Sequence, residues 1–321
     1  MSLTQMLSSP YFKELKDKLK QDFPRPKISL QGELLAPAKT VNYGVVGTAF
    51  DYLFRFRMEW LSKDKAVCRD GWVADSTMQN IKAQLVEKSR KRKEVEFDEK
   101  ISKREGGELA LLLRAIEKER AKRSKEFNKQ LRAFYENSVH QYEEAKANHK
   151  SYLTTGIMTD DLVKSSIVLA KLDLYVRAGY LDNSIQSTQE EDIEDLQKLV
   201  SIIPNEIFTP KNMCFLNPDF GEGSALFGGA DADLIVDDTL IDIKTTKHLA
   251  VDRVHLNQLL CYYIASTIGG INSGQHSCTI KNIGIYFSRH GILWSAPLWK
   301  FGNDFQFRRF TGWLVKYLDD N

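Results

Sequence analysis

Between Gly228 and Lys247 the chain reads GGADADLIVDDTLIDIKTTK, short apolar runs alternating with Asp231, Asp233, Asp237, Asp238 and Asp242 and ending on Lys244 and Lys247. In an extended strand successive side chains point to opposite faces. Asp231, Asp233 and Ile235 therefore share one face, and Ala232, Leu234 and Val236 the other. In the following strand Leu240, Asp242 and Lys244 share a face, with Ile241 and Ile243 opposite. A two-residue turn at Asp237-Asp238 sets Asp233 opposite Asp242 and Asp231 opposite Lys244. A slipped turn sets Asp233 opposite Lys244 and keeps the same faces aligned. Either register predicts one apolar face for a core and one face bearing acids and a lysine. Cross-strand Cβ atoms lie about 4.5–5.5 Å apart, so two carboxylates there repel unless a cation lies between them. Two hard oxygen ligands with room for water suit Mg²⁺, or Mn²⁺ in its place, which take few carboxylates together with substrate phosphate. Lys244 beside such an ion would offset phosphate charge and orient or help deprotonate an attacking water. The chemistry such a set would suit is metal-assisted hydrolysis of a phosphodiester. Asp237 and Asp238 read as ordinary turn residues.

The segment resembles the PD-(D/E)XK nuclease superfamily: a strand-borne acid, then Asp242-Ile243-Lys244 in the (D/E)XK position. Gln258 and Tyr262, a Gln-x-x-x-Tyr pattern on the helix after the hairpin, narrow the resemblance to the RecB-like branch. Four residues apart, they lie on one helical face and point together at the site. Gly47-Thr48-Ala49-Phe50-Asp51 is similar to the branch's early Gly-x-x-x-His motif, with Asp51 where the histidine usually stands. The cysteines that hold an iron–sulfur cluster in some relatives are absent. The resemblance covers Asn212 to Ser266 and the short early piece. It implies a restriction-endonuclease-like α/β core and a Mg²⁺-dependent deoxyribonuclease. Asp233, Asp242 and Asp51 would be its metal ligands, and Lys244, Gln258 and Tyr262 the other residues of its site. Asp231 and Asp233 both lie on the site face; Asp233, directly before Leu234-Ile235, is the preferred ligand and Asp231 the reserve. Exonuclease and endonuclease action are both open.

These residues need elements to hold them. GVVGTAFDYLFRFRMEWL reads as a helix entered near Gly47, with Phe50, Leu53, Phe54 and Met58 at helical spacing. It follows an opening helix, Tyr11 to Gln21, and a Pro-bearing extended stretch through Lys39. From Ser76 to Tyr152 the chain is rich in Lys, Glu, Arg, Gln and Ala and lacks proline, which predicts two long helices hinged at Gly106-Gly107. Their apolar stripe (Leu109, Leu112, Leu113, Ile116, Phe127, Leu131, Phe134) predicts one face resting on the main body. Residues 159–178 read as an amphipathic helix between a Thr/Asp cap and Gly179, and a shorter helix runs from Glu191 to Ser201. A strand near Asn212 to Leu216, the hairpin, a helix from His248 to Gly269, two strands turning at Arg289-His290-Gly291 and a closing helix complete the order. The expected fold is a mixed central sheet flanked by helices, with a helical lobe or arm. Residues 1–75 would hold the first part of the core, 76–152 the arm and 153–321 the nuclease core.

The formal net charge of +2 hides a strong asymmetry. Glu87 to Arg132 holds 16 Lys/Arg against 10 Asp/Glu, a local +6, whereas Asp182 to Asp238 holds 2 against 13, a local −11. A basic arm and an acidic centre suit an enzyme that gathers cations at its site and a polyanion elsewhere; solvated helix faces account for such runs equally well. Arg90, Lys91 and Arg92 on the arm are candidate DNA contacts, as are Lys247 and His255 near the hairpin; His255 also reads as a structural histidine and Lys247 as part of a solvated helix start. Asp173 is an alternative upstream acid, or a partner for Arg177. Ser288, Arg289 and His290 read as turn residues. Cys68, Cys214, Cys261 and Cys278 form no zinc or iron–sulfur pattern and read as free thiols in a reducing compartment. No stretch has the character of a signal peptide or a membrane span, so the expectation is a cytoplasmic protein whose partner is DNA, with a protein partner on the arm as a second possibility. Two other readings stand beside the nuclease: a catalytically silent nuclease-fold module that binds DNA or a protein, and a helical scaffold with an incidental acidic hairpin. Histidine-based phosphodiesterase chemistry is disfavoured by 6 histidines with no HxH or HD pair.

Overall fold

A computed structural model describes residues 2–69, 71–98, 108–179, 184–276 and 278–319, without the side chains of 88–121 and 176–178. The helices are α1 (Leu3–Ser8), α2 (Lys13–Asp22), α3 (Tyr43–Ser62), α4 (Val73–Asp98), α5 (Glu108–Thr155), α6 (Asp160–Ala178), α7 (Glu190–Ser201), α8 (Asn205–Phe208), α9 (Glu222–Leu226), α10 (Arg253–Gly269) and α11 (Asp304–Asp319). The strands are β1 (Ala66–Cys68), β2 (Cys214–Leu216), β3 (Leu234–Val236), β4 (Thr239–Lys244), β5 (Asn282–Phe287) and β6 (Ile292–Pro297). The chain divides into two compact units: Met1–Asp70 with Tyr152–Ile157 and Glu190–Asn321, and Gly71–Ser151 with Met158–Gln189. The core does not resume at residue 153 as the sequence suggests, because α6 packs on α4 and belongs with the helical unit. Among the described residues no helix is long and apolar enough to cross a membrane.

The first unit is an α/β fold built on one mixed sheet of six strands in the order β1-β2-β3-β4-β5-β6. β1 with β2 and β4 with β5 run parallel; the other neighbours are antiparallel. The β3–β4 hairpin has the two-residue turn expected from Asp237-Asp238, pairing Val236 with Thr239 and Leu234 with Ile241. Asp237 sits at φ 52°, a left-handed conformation that aspartate tolerates better than most residues. Its carboxylate also accepts the backbone N–H groups of Lys211, Asn212 and Met213 at 3.0, 2.7 and 3.2 Å, so it fastens the entry to β2 as well as making the turn.

The hairpin departs from the expected split into an apolar and a polar face. Ile235, Leu240, Ile283, Ile285 and Phe287 lie in a buried cluster with Leu256, Leu259, Leu260 and Ile264 of α10. On the other face Tyr286 packs against Phe50 and Phe54 of α3 and Phe208 of α8, ring centroids 6.5, 5.4 and 4.8 Å apart. A sheet joined by a β4–α10–β5 crossover and covered on both faces needs apolar side chains on both. The acids therefore occupy one end of a core-facing surface rather than a solvent face. α10 is seated by glycine contacts: a Cβ at Gly223 of α9 would lie 2.1 Å from the carbonyl oxygen of Ala265, and one at Gly269 would lie 1.8 Å from that of Phe220.

The residues read as a simple turn before Gly291 are interior. Arg289 is 2 % exposed and makes a two-pronged ion pair with Asp195 of α7, 2.8 and 2.9 Å, while also donating to the Ala36 carbonyl at 2.9 Å. Through it the β5–β6 connection, α7 and the extended segment before α3 share one buried fastening. His290 places Nδ1 2.9 Å from the Glu33 carbonyl and Nε2 3.2 Å from that of Lys247.

The second unit contains α4, the body of α5 and α6. Asp75 receives a hydrogen bond from Tyr142 and lies 3.4 Å from Lys146 Nζ, and Trp72 meets His149, so the start of α4 lies beside the far part of α5 and the two helices run antiparallel. The Gly106-Gly107 hinge falls outside the described residues, as do the side chains of Leu109, Leu112, Leu113, Ile116 and Arg177. Leu131 and Phe134 are buried, Phe134 facing Tyr175 of α6 at 6.4 Å, whereas Phe127 is 39 % exposed. α6 begins at the expected Thr159 cap and ends at Gly179 with φ 65°. It is buried on nearly every side from Leu162 to Asp173 rather than amphipathic, and Lys171 is satisfied by the carbonyls of Ser184 and Ser187 at 2.8 and 2.7 Å.

Removing one member of a buried ion pair strands the other charge. Arg289→Ala is expected to cost about 3–5 kcal/mol in denaturant unfolding, and Arg289→Met with Asp195→Leu is expected to recover most of that loss.

Candidate active site

β4 carries Asp242 and Lys244 on the α10 side of the sheet, at the end where β3 and β4 separate. The ladder places Asp233, one residue before Leu234, across from Asp242. There Asp233 accepts the Ile243 N–H through its Oδ2 at 2.6 Å, so a carboxylate replaces a strand carbonyl at the point of separation. Asp242 is 2 % exposed, and Lys244 Nζ lies 2.6 Å from its Oδ2. The same ammonium donates to Gln258 Oε1 at 3.0 Å, and Gln258 Nε2 donates to the Tyr262 hydroxyl at 2.8 Å. The four-residue spacing on α10 thus does what the sequence pattern implied: Asp242, Lys244, Gln258 and Tyr262 form one connected chain from strand to helix. The two partners also set the orientation of the Gln258 amide, oxygen toward the lysine and nitrogen toward the phenol.

The electrostatics follow from burial. Asp233 is pushed up to about 6 by burial and by the neighbouring Asp242 carboxylate, against the pull of Lys244, the Ile243 N–H and Arg55. Burial raises Asp242 as well, opposed by Lys244. Burial alone would lower Lys244, but Asp242 and Asp233 outweigh it, so its pKa rises and it stays an ammonium; the Asp51 charge adds to this. Burial together with Asp242 and Asp233 keeps Tyr262 a neutral phenol.

Two carboxyl groups crowded together and both raised by burial form a donor set that a divalent cation would relieve. Two hard ligands leave most positions of such an ion for water or phosphate oxygens, as Mg²⁺ prefers. Asp233 and Asp242 fit that role. Among the described residues no group of three His, Cys, Asp or Glu side chains is placed to hold a metal ion; Asp51, on α3, bears on the cluster through its charge, which acts on Lys244. Asp231, the reserve ligand, turns away instead: Arg69 Nη1 holds it at 2.7 Å, with Asp219 3.9 Å from Arg69 Nε. The arginine that follows β1 claims this acid, which the hairpin pattern alone does not reveal.

Of the other candidates, Lys247 is exposed on the loop between β4 and α10. His255 is lowered by burial and by the Lys244 charge, which favours neutral imidazole, and its Nδ1 is buried without a hydrogen-bond partner. The side chains of Arg90, Lys91 and Arg92 lie outside the described residues. Asp173 is buried on α6 in the helical unit. Two site neighbours escaped the sequence reading. Thr4 Oγ1 lies 3.4 Å from Gln258 Nε2, and nothing in the local pattern announces it. Arg55 stands one turn after Asp51, a spacing at which it was legible. Comparison with family models, with curated proteins and with solved structures finds no match to this chain.

Because folding raises Asp233 from its ordinary 3.8 to about 6, the folded chain binds this proton more tightly than the unfolded one. Its contribution to stability is full below about pH 4 and is lost as pH rises through about 6. In metal-free buffer Asp233→Asn is therefore expected to melt above the wild type at pH 8 and close to it at pH 4. Equal differences at both pH values, measured by circular dichroism, would contradict the assigned charge crowding.

Proposed function

We propose that the chain is a metal-dependent nuclease of PD-(D/E)XK type that hydrolyses DNA phosphodiester bonds, in DNA repair, recombination, phage replication or defence. The observation that carries this reading is the connected cluster in which a crowded pair of acids, half-buried Asp233 and buried Asp242, adjoins an ammonium positioned by Gln258 and Tyr262. Asp233 and Asp242 would hold Mg²⁺, with Mn²⁺ as a substitute; bound there, the ion supplies Lewis-acid polarisation of a phosphoryl oxygen and a more acidic water.

The chain's own residues do the rest. Lys244 presents a fixed positive charge where negative charge grows on the phosphoryl oxygens. Preorganised charge of this kind needs no rearrangement at the moment of reaction. Gln258 holds the ammonium in place, and Tyr262 keeps the amide from turning over. The exposed Lys122, Arg123, Lys125, Lys129 and Arg132 of α5 provide sequence-independent phosphate contacts for the polyanion, or a surface for a protein partner.

The test is digestion of linear and circular, single- and double-stranded DNA with Mg²⁺ or Mn²⁺, beside Lys244→Ala. The expected result is cleavage that falls by about 10²-fold or more in the variant, and the circular substrates separate internal cutting from cutting at ends. A wild type that shifts DNA on a gel yet cuts none of it would replace this reading with that of a silent binding module.

A further inference from the structure

Arg55 has the features of an anion-binding residue awaiting its ligand. It lies on α3 one turn beyond Asp51, whose backbone carbonyl accepts from its Nε at 3.0 Å. Its guanidinium carbon lies 4.5 Å above the ring of Tyr52, itself fully buried. A hydrogen bond at one corner and an aromatic face beneath the plane fix the head without using its outer edge. Nη1 and Nη2 take no acceptor among the described residues, and the side chain is half-buried. Other arginines of the same unit are committed: Arg57 Nε to Asn205 at 2.6 Å, Arg69 to Asp231, Arg289 to Asp195. A planar fork held rigid with its terminal nitrogens unoccupied matches two oxygens of one phosphate, a geometry that a lysine cannot reproduce.

We propose that Arg55 is a phosphate-binding residue, its two terminal nitrogens closing on the non-bridging oxygens of a DNA phosphodiester. The inference rests on the nuclease reading for the identity of the ligand, and on the geometry of α3 for the existence of the anion site.

The experiment measures binding of one labelled DNA sequence, single-stranded and duplex, by fluorescence anisotropy in EDTA across a range of salt concentrations. Wild type, Arg55→Ala and Arg55→Lys are compared. Loss of a charge-assisted contact is expected to weaken binding by Arg55→Ala about tenfold and to reduce the salt slope by roughly one phosphate contact. Arg55→Lys should restore the slope but only part of the affinity. A purely structural role would lower the melting temperature and leave the slope unchanged, and unchanged slope and affinity in Arg55→Ala overturn the proposal. The rise in melting temperature with inorganic phosphate separates the two levels. If the wild type binds no DNA yet shows a rise that Arg55→Ala loses, the anion site stands and the nuclease reading falls. If neither binding nor rise occurs, both fall.

Discussion

Two carboxylates facing each other across a pair of strands, with one ammonium between two acids and a helix, are the constraint on which the first unit turns. Asp233 and Asp242 are brought together by the hairpin register, and nothing in a β-ladder favours that juxtaposition. Both acids are lifted by burial, and Asp233 further by its neighbour, so the charge crowding is a standing cost to the fold without a divalent ion. Lys244 answers only one of them closely, at 2.6 Å from Asp242. Sites that keep like charges together in this way are ordinarily the places where a chain gives up stability for chemistry.

The rest of the unit is arranged to bear that cost. The sheet is apolar on both faces, with α10 on one and α3 on the other, and the acids sit where the strands part. The glycine contacts of Gly223 and Gly269 seat α10, which fixes Gln258 and Tyr262 relative to β4. The buried Arg289–Asp195 pair fastens the β5–β6 connection to α7. Each is a rigid fixture on a structural element rather than a loop, which is what a site needing sub-ångström positioning requires.

How much of this is legible in the sequence depends on whether the information is local. The faces of the hairpin follow from a period of two, which leaves two registers open, and the structure has the one with the Asp237-Asp238 turn; the Gln258–Tyr262 pairing follows from a four-residue helical interval. Asp231 and Asp233 share a face by the same rule, but Arg69, more than 160 residues earlier, decides which of them turns outward. β1 has only three residues at the sheet edge, too few for an alternation to register. α6 looks amphipathic because Lys171 and Asp173 interrupt it, yet both are buried, since Lys171 finds backbone carbonyls in a segment with no apolar signal. Arg289 reads as a turn residue because its partner, Asp195, lies 94 positions away. Long-range charge pairing is the information that a pattern of polar and apolar residues does not carry.

Whether Asp233 and Asp242 together seat one divalent cation is decided by calorimetric titration of the metal-free protein with Mn²⁺. A shared seat gives a single site at pH 8, proton release on binding as the pH is lowered toward 6, and loss of the heat in Asp242→Asn. Binding that is absent in the wild type, or that persists undiminished in that variant, would contradict it.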